Sequence, residues 1–531
     1  MKFNIADIFE SVVEVCTDRT ALVCGEQRLT YSELNQKANK LASFLQKRGV
    51  KAGDHIGMHL YNSAEFIIGM TAALKLRAVP INVNYRYVAD ELRYIFEDAN
   101  LVALFTQSAF TPEVTDAAKG NEMLHTFVHL HDESGTDHIE GSVEYWEALE
   151  SGDPNPTFEE RSADDLYIIY TGGTTGMPKG VMWRHEDIFF AGLQGGRPGG
   201  DGVERPEQVA EFAAKPLNAL NIHPAAPLIH GAAQLASWIC MNTGGRLVLV
   251  KGRSFVPEIT AKAIGDEGIN VINLVGDAMA RPLAEVILAN PSDYDVSGLV
   301  ALSSAGAILS DSVKKQLEAA LPDTMVLNNF GASETGHQGT AVDMGDGKLR
   351  FFMHGDATLV VDDDMNTVAV GEEGWIARKG HVPLGYYRDE EKTKKTFTEI
   401  DGQRYVVPGD RGILEEETII LLGRGSICIN TGGEKVFPEE VEEALKGHPA
   451  IMDAIVVGLP DEKWGQRVSA LVLVRDGHTC SEEDISAHCR SKVAGYKTPR
   501  SWFFVDTLNR QPSGKPDYRW AKARALELSE A

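Results

Sequence analysis

The sequence predicts an α/β protein with a large N-terminal domain, a β-rich subdomain at the end of that domain, and a small α+β domain at the C-terminus. Three observations lead there. Short apolar runs alternate with helical periodicity from Thr30 onward, the pattern changes to brief β-like segments between about Lys348 and Leu422, and α+β alternation restarts after Gly423. A chain of 531 residues also exceeds the size at which one hydrophobic core stops growing, so at least two domains are required.

In order along the chain, YSELNQKANKLASFLQKRG has the 3.6-residue period of a helix, HIGMHLY reads as a strand, SAEFIIGMTAALKLR as a second helix, and AVPINVN and VALFT as further strands. Strands separated by helices argue a parallel sheet with right-handed crossovers. A second such stretch follows from Leu166, with strands at LYIIYT, GRLVLVKG, VINLVG and LVALSSAG. The Gly- and Pro-dense segment from Gln194 to Pro206 is expected to be a long exposed loop. LRFFMHG, ATLVVDDD, TVAVGEEGWIARKG and TIILLG form the β-rich part. Its acidic clusters, Asp362 to Asp364 and Glu415 to Glu417, lack the ligand spacing of a calcium loop and read as solvated turns. VFPEEVEEALKGH and EEDISAHCRSKV then read as helices flanking the strands AIVVGLP and SALVLVRDG. The expected domains are residues 1–423 and 424–531.

Hydrophobic residues make up 43% and charged residues 24%, as in a soluble globular protein. The formal net charge of -26, from 51 basic and 77 acidic side chains, opposes binding to a nucleic-acid backbone, which needs clustered Lys and Arg. The N-terminal stretch is interrupted by Asp7, Glu10 and Glu14, unlike a secretory signal, and no apolar run reaches the roughly 18 residues of a membrane span. A local membrane-surface contact and a homodimer stay open. Cys16, Cys24, Cys240, Cys428, Cys480 and Cys489 are scattered without metal-ligand spacing, which suits buried thiols in a reducing cytoplasm.

The strongest chemical signal is LYIIYTGGTTGMPKGV. An apolar strand enters a loop of Thr171, Gly172, Gly173, Thr174, Thr175 and Gly176, followed by Lys179. Glycines let several N–H groups converge on an anion, threonine hydroxyls add donors, and Lys179 adds a point charge, so a nucleotide triphosphate is the expected occupant. A Walker A loop requires Ser or Thr after its lysine, whereas Gly180 stands here.

This string resembles the signature loop of the adenylate-forming superfamily, which includes acyl- and aryl-CoA synthetases and nonribosomal adenylation domains. The resemblance spans nearly the whole chain, beginning at LTYSELNQKANKLASFLQKRGVKAGD. SSAGAILS is similar to the loop in which Gly306 and Ala307 would border adenine and the acyl group, with Ile308 at a usual proline. NNFGASETGH resembles the motif in which Asn329, Phe330, Gly331 and Ser333 would contact the nucleotide, Phe330 stacking on adenine and Ser333 reaching the α-phosphate. Glu334 would there hold Mg²⁺. Asp410 in YVVPGDRG and Arg424 in LLGRGS resemble the two ribose contacts, and Ser426 stands where the family's hinge carries Asp or Lys. Gly432 and Gly433 would line the pantetheine tunnel, and NRQPSGKPDYRW makes Lys515 the resembling catalytic lysine.

The resemblance implies a ligase using ATP, Mg²⁺ and coenzyme A, with Lys515, Glu334, Thr171 and His230 as catalytic candidates and a C-terminal domain that rotates between half-reactions. His230 falls in HPAAPLIHGAAQLASW, similar to the acyl-pocket helix; a satisfied core histidine is the competing reading. The small residues Gly231, Ala232, Ala233, Ala236, Gly276, Ala305 and Gly306 leave room for a bulky apolar acid, a fatty acid or steroid side-chain acid, with an aryl acid as the alternative. A carrier-protein acceptor, an oxygenase of the luciferase kind and a catalytically dead scaffold are the rival classes, and the presence of Lys179, Glu334, Asp410, Arg424 and Lys515 opposes the last.

Overall fold

The computed structural model describes residues 1–530 except 172–176, 308, 343–348, 353–356, 432–433, 462–463, 494 and 512–513, with the backbone alone at 424, 426, 430, 434 and 435. Its N-terminal helix Ile5–Cys16 buries Ile5, Ile8, Phe9, Val12 and Cys16 along one stripe, and the Asn4 side chain caps it by accepting from the Ala6 and Asp7 amides. The helix Tyr31–Lys47 starts at a reciprocal cap. Thr30 Oγ1 accepts from the Glu33 amide at 3.1 Å, and Glu33 Oε2 accepts from the Thr30 amide at 2.8 Å.

Two parallel sheets form the large domain. His55–His59 lies between Val79–Asn82 and Leu101–Gln107 in one, which continues through Thr126–Leu130 to Val143–Glu144. In the other, Thr20–Cys24, Leu247–Leu249, Ile222–Pro224, Val271–Leu274, Ala301–Ser304 and Met325–Ala332 run side by side in parallel. Strand direction reverses after Met325–Ala332, which pairs antiparallel with Gly336–Val342 and leads into the β-rich part, where Arg350–Phe352, Thr418–Arg424, Asp410–Leu414 and Glu373–Lys379 follow one another. The expected strands at LYIIYT, GRLVLVKG, VINLVG, LVALSSAG and TIILLG are present.

The C-terminal sheet stands apart. Ile451–Asp461 and Gly465–Val474 form its long antiparallel pair, Ser501–Phe504 adds a parallel edge, and Val441, Leu445, Val456, Val468 and Ile485 build a separate core. Pro438 opens the helix Pro438–Lys446 at the position where its missing N–H costs nothing.

Two expectations need correction. The Gln194–Pro206 segment is not simply exposed: Gly195, Gly196, Val203 and Pro206 are buried, because the Val203 amide donates to Gly195 O at 2.9 Å and the loop folds over itself. Nor is Glu415 a solvated turn residue, since Arg350 Nε and Thr418 Oγ1 both donate to its Oε2. Asp362 does behave as a turn acid, accepting from the Asp364 and Asn366 amides.

Candidate active site

Leu166–Thr171 and Lys179–Arg184 form an antiparallel hairpin in which Thr171 stands directly opposite Lys179. The strands on either side of the Gly/Thr segment thus pair with each other, whereas a Walker loop passes from strand into helix. Gly172, Gly173, Thr174, Thr175 and Gly176 lie outside the described residues. Lys179 Nζ is 3.3 Å from Asp389 Oδ2, and Tyr94 anchors the hairpin by donating to Pro178 O at 3.1 Å. Partial burial of Lys179 favours its neutral form, but Tyr94 and Asp389 outweigh it and hold the ammonium above its ordinary value.

Three adjacent parallel strands end at one edge of the larger sheet, and their carboxyl ends carry the next candidates. Val271–Leu274 delivers Val275 and Gly276, Ala301–Ser304 delivers Gly306 and Ala307, and Met325–Ala332 delivers the Asn329–Glu334 segment. Such an edge, where strand order or direction changes, is the usual ligand crevice of an α/β sheet. Gly306 is exposed with φ +84°, and a Cβ there would meet only Val275 Cγ1 at 4.0 Å, so space is open above it. The Ser304 hydroxyl fixes the neighbouring turn by accepting from the Gly276 amide at 3.0 Å.

The Asn329 amide is engaged at both ends, donating to Ser303 Oγ and accepting from Thr340 Oγ1, each at 2.8 Å. The Phe330 ring lies tilted against Phe351 at 5.2 Å. Gly331 faces the opposing strand so closely that a Cβ would sit 2.2 Å from Gly336 O. Ser333 O accepts from Trp183 Nε1 at 2.9 Å, and Glu334 Oε1 accepts from the Tyr386 hydroxyl at 2.8 Å. Tyr386 pairs in register with Val181 of the Leu166–Arg184 hairpin, so one residue ties Glu334 to the Lys179 strand. There is no spacing signal in the sequence for Tyr386, which enters from the short strand Gly385–Tyr386 within the β-rich stretch.

Asp410 is buried and its Cα is paired with that of Arg424 across adjacent strands. His230 is half-buried at the N-cap of the helix Gly231–Asn242. The small residues on that helix serve two ends: Ala233 and Ala236 pack into the main core and so fill space, while Gly231 faces Ile169, where a Cβ would come within 3.2 Å. Gly432 and Gly433 lie outside the described residues.

Lys515 is half-buried in a tight turn. Its carbonyl accepts from the Gln511 amide at 2.8 Å, and Arg510 steadies the turn by donating to Gly514 O at 2.8 Å while gripping Asp453 with two bonds of 2.8 and 2.7 Å. The adjoining Gly514 lies on Val275, where a Cβ would come within 2.9 Å of Cγ1. Since Val275 also borders Gly306, the turn carrying Lys515 is seated at the crevice edge.

Among the described residues no group of three or more His, Cys, Asp or Glu is arranged to hold a metal by protein ligands alone, and no helix is long and apolar enough to cross a membrane. A single carboxylate oriented by a hydroxyl, as Glu334 is by Tyr386, fits a Mg²⁺ that takes its other ligands from phosphates and water.

The AMP-binding enzyme family matches residues 9–387, and the AMP-binding enzyme C-terminal domain matches 440–515. The chain belongs to the AMP-binding enzyme family. It is 43% identical over 534 residues to a medium/long-chain-fatty-acid–CoA/3-oxocholest-4-en-26-oate–CoA ligase of Mycobacterium tuberculosis, covering 98% of this chain and 95% of that one. Identity is also 43%, over 537 residues, to a 3-oxocholest-4-en-26-oate–CoA ligase of Rhodococcus rhodochrous, covering 98% and 96%. In fold it is similar to the anthranilate CoA ligase AuaEII, solved in complex with anthranoyl-AMP, with a TM-score of 0.85, 23% identity and coverage of 99% and 98%.

Proposed function

We propose that the chain is an ATP-dependent, AMP-forming acyl-CoA ligase that converts a bulky hydrophobic carboxylic acid, ATP and CoA to acyl-CoA, AMP and pyrophosphate through an acyl-adenylate. The observation that carries this reading is the seating of the Lys515 turn on Val275, beside the open space over Gly306, at the carboxyl edge of the parallel strands. The acid is taken to be a medium- or long-chain fatty acid or a steroid side-chain acid, supported by the relatives that share 43% identity.

A carboxylate resists thiol attack because its charge repels the nucleophile and oxide is a poor leaving group. Adenylation removes both obstacles. Its catalysis is largely positioning and charge stabilisation. Lys515 would bridge the acyl carboxylate and the α-phosphate, while Thr171, Lys179 and the loop between them hold the departing pyrophosphate. Glu334 would hold Mg²⁺, which when bound neutralises phosphate charge. Phe330 and the Gly306–Ala307 backbone would border adenine, and Asp410 with Arg424 would take the ribose hydroxyls. His230 would stand at the acyl carboxylate.

Residues 1–423 would form the adenylation domain and 424–531 a mobile domain turning near Ser426. The short Gly425–Ile427 turn supports this boundary, since Thr418–Arg424 ends the large sheet and Ile429–Thr431 begins the small one. After rotation Gly432 and Gly433 would flank the pantetheine arm. ATP and CoA are cytoplasmic metabolites, and we place the enzyme there.

The test is a panel of fatty, steroid side-chain and aromatic acids with ATP, Mg²⁺ and CoA, read by thioester formation. Turnover of the first two classes is expected. Turnover confined to aromatic acids would overturn the acyl assignment, and adenylation without transfer to free CoA would point to a carrier-protein acceptor.

A further inference from the structure

The two domains meet through a buried polar junction that none of the substrate-handling residues above uses. Lys446, the last residue of the small-domain helix Pro438–Lys446, places Nζ 3.3 Å from Asp277 Oδ2 in the large domain, with side-chain exposures of 3% and 10%. The same Asp277 carboxylate accepts from the Ser310 amide at 2.8 Å and the Ser310 hydroxyl at 2.7 Å, and Arg281 Nη2 stands 3.9 Å away. Ser310 closes the loop that carries Gly306 and Ala307. Asp277 therefore grips the substrate-bordering loop with one set of contacts and the small domain with the other.

A second contact runs between helix ends. Glu443 Oε1 accepts from the Asp311 amide at 2.8 Å, at the N-terminus of the ten-residue helix Asp311–Ala320, and Ser312 Oγ donates to Lys446 O at 3.3 Å. A carboxyl group supplied by the other domain, raised to about 7 by its burial, thus caps an orphan helix N–H. Burial alone would push the Asp277 carboxyl up, but Lys446 and the Ser310 donors outweigh it and hold it below the usual carboxylate range. Burial would likewise lower Lys446, and Asp277 with Glu443 raises it instead. The pair is charged.

We infer that Asp277, Lys446 and Glu443 form a latch that holds the small domain in the pose in which Lys515 reaches the crevice, acting as positioning residues for adenylation alone. The inference rests on the ligase reading above and assigns its first half-reaction a register device. A buried ion pair suits a reversible joint. Its attraction nearly balances its desolvation, so the closed pose is favoured only in register, and after rotation both charges recover water. An apolar interface of similar size would bind more tightly and discriminate less between poses. Because Asp277 also holds Ser310, closure and the shape of the Gly306–Ala307 loop are coupled through one carboxylate.

The test separates the half-reactions in the full-length protein, using acid-dependent exchange of pyrophosphate into ATP for adenylation and supplied acyl-AMP plus CoA for transfer. In Lys446→Met, exchange should fall about tenfold to a hundredfold, because the buried Asp277 charge is left without its partner, while transfer stays within about twofold of wild type; Asp277→Asn, which also loosens Ser310, should lower exchange at least as much. The double variant should regain part of the lost exchange, since neither Lys446 nor Asp277 is then left facing an uncharged partner. Equal loss of both half-reactions in Lys446→Met, or no loss of exchange in either single variant, would overturn the latch while leaving the ligase reading intact. Absence of exchange in the wild-type protein with every acid would instead overturn the ligase reading on which the latch rests.

Discussion

The Tyr386 hydroxyl donates a 2.8 Å hydrogen bond to Glu334 Oε1, and the Tyr386 backbone pairs in register with Val181 on the strand that begins at Lys179. The carboxylate assigned to Mg²⁺ and the strand assigned to the phosphates are therefore set by one tyrosine. Tyr386→Phe keeps the ring and removes the donor. Outer partners of this kind typically tune metal affinity or activity by one to two powers of ten, so the Mg²⁺ concentration for half-maximal activity should rise about tenfold. An unchanged Mg²⁺ titration would contradict the coupling.

Lys515→Ala should abolish pyrophosphate exchange, with a loss on the order of a hundredfold to a thousandfold, and leave transfer from supplied acyl-AMP to CoA close to wild type. Loss of transfer to the same degree would remove Lys515 from its assigned step.

Gly331 and Gly306 belong to the two nucleotide motifs for different physical reasons. At Gly331 a Cβ would lie 2.2 Å from Gly336 O across the hairpin, so Gly331→Ala should cost at least about 2 kcal/mol through backbone displacement. At Gly306 space is open and only the φ of +84° opposes a side chain, so Gly306→Ala should cost about 1 kcal/mol. Denaturant midpoints of the two variants measure the difference; equal midpoints would refute it.

Two fully buried histidines make stability depend on pH. Burial lowers His59 to about 3, and lowers His223 to about 4 against the resistance of its contact with Val248 O. In the unfolded chain both titrate near about 6.5. At these two sites the unfolded chain binds more protons between about pH 4 and 6.5, so their contribution to stability increases with pH there and is lost on acidification, opposed by Glu442 and Glu443, which burial raises to about 7. Compared with wild type, His223→Gln should lower the pH slope of stability across this window by as much as about one proton, read from melting temperatures. The same pH slope in His223→Gln as in wild type would contradict the assignment.

Much of this was legible from local sequence, and the reasons are particular. LYIIYT and VINLVG are short apolar runs between turn residues, and Thr30 with Glu33 announces a helix start, so strands and helices follow from contiguous residues. The motif glycines and Lys515 were visible because their neighbours in sequence carry the pattern. Tyr386, Asp277 and Lys446 had no such neighbours. Each meets its partner only through tertiary folding, and a lone Tyr, Asp or Lys on an otherwise ordinary helix or strand has no local signature. Ala233 and Ala236 show the converse limit: small residues mark close packing as readily as they mark a cavity, and here the core takes both.

The products formed test the ligase reading most directly. With wild-type protein, a long-chain fatty or steroid side-chain acid, ATP, Mg²⁺ and CoA, acyl-CoA, AMP and pyrophosphate should form in equal amounts, with acyl-AMP accumulating when CoA is withheld. Formation of ADP and phosphate, or thioester formation with no AMP, would contradict it.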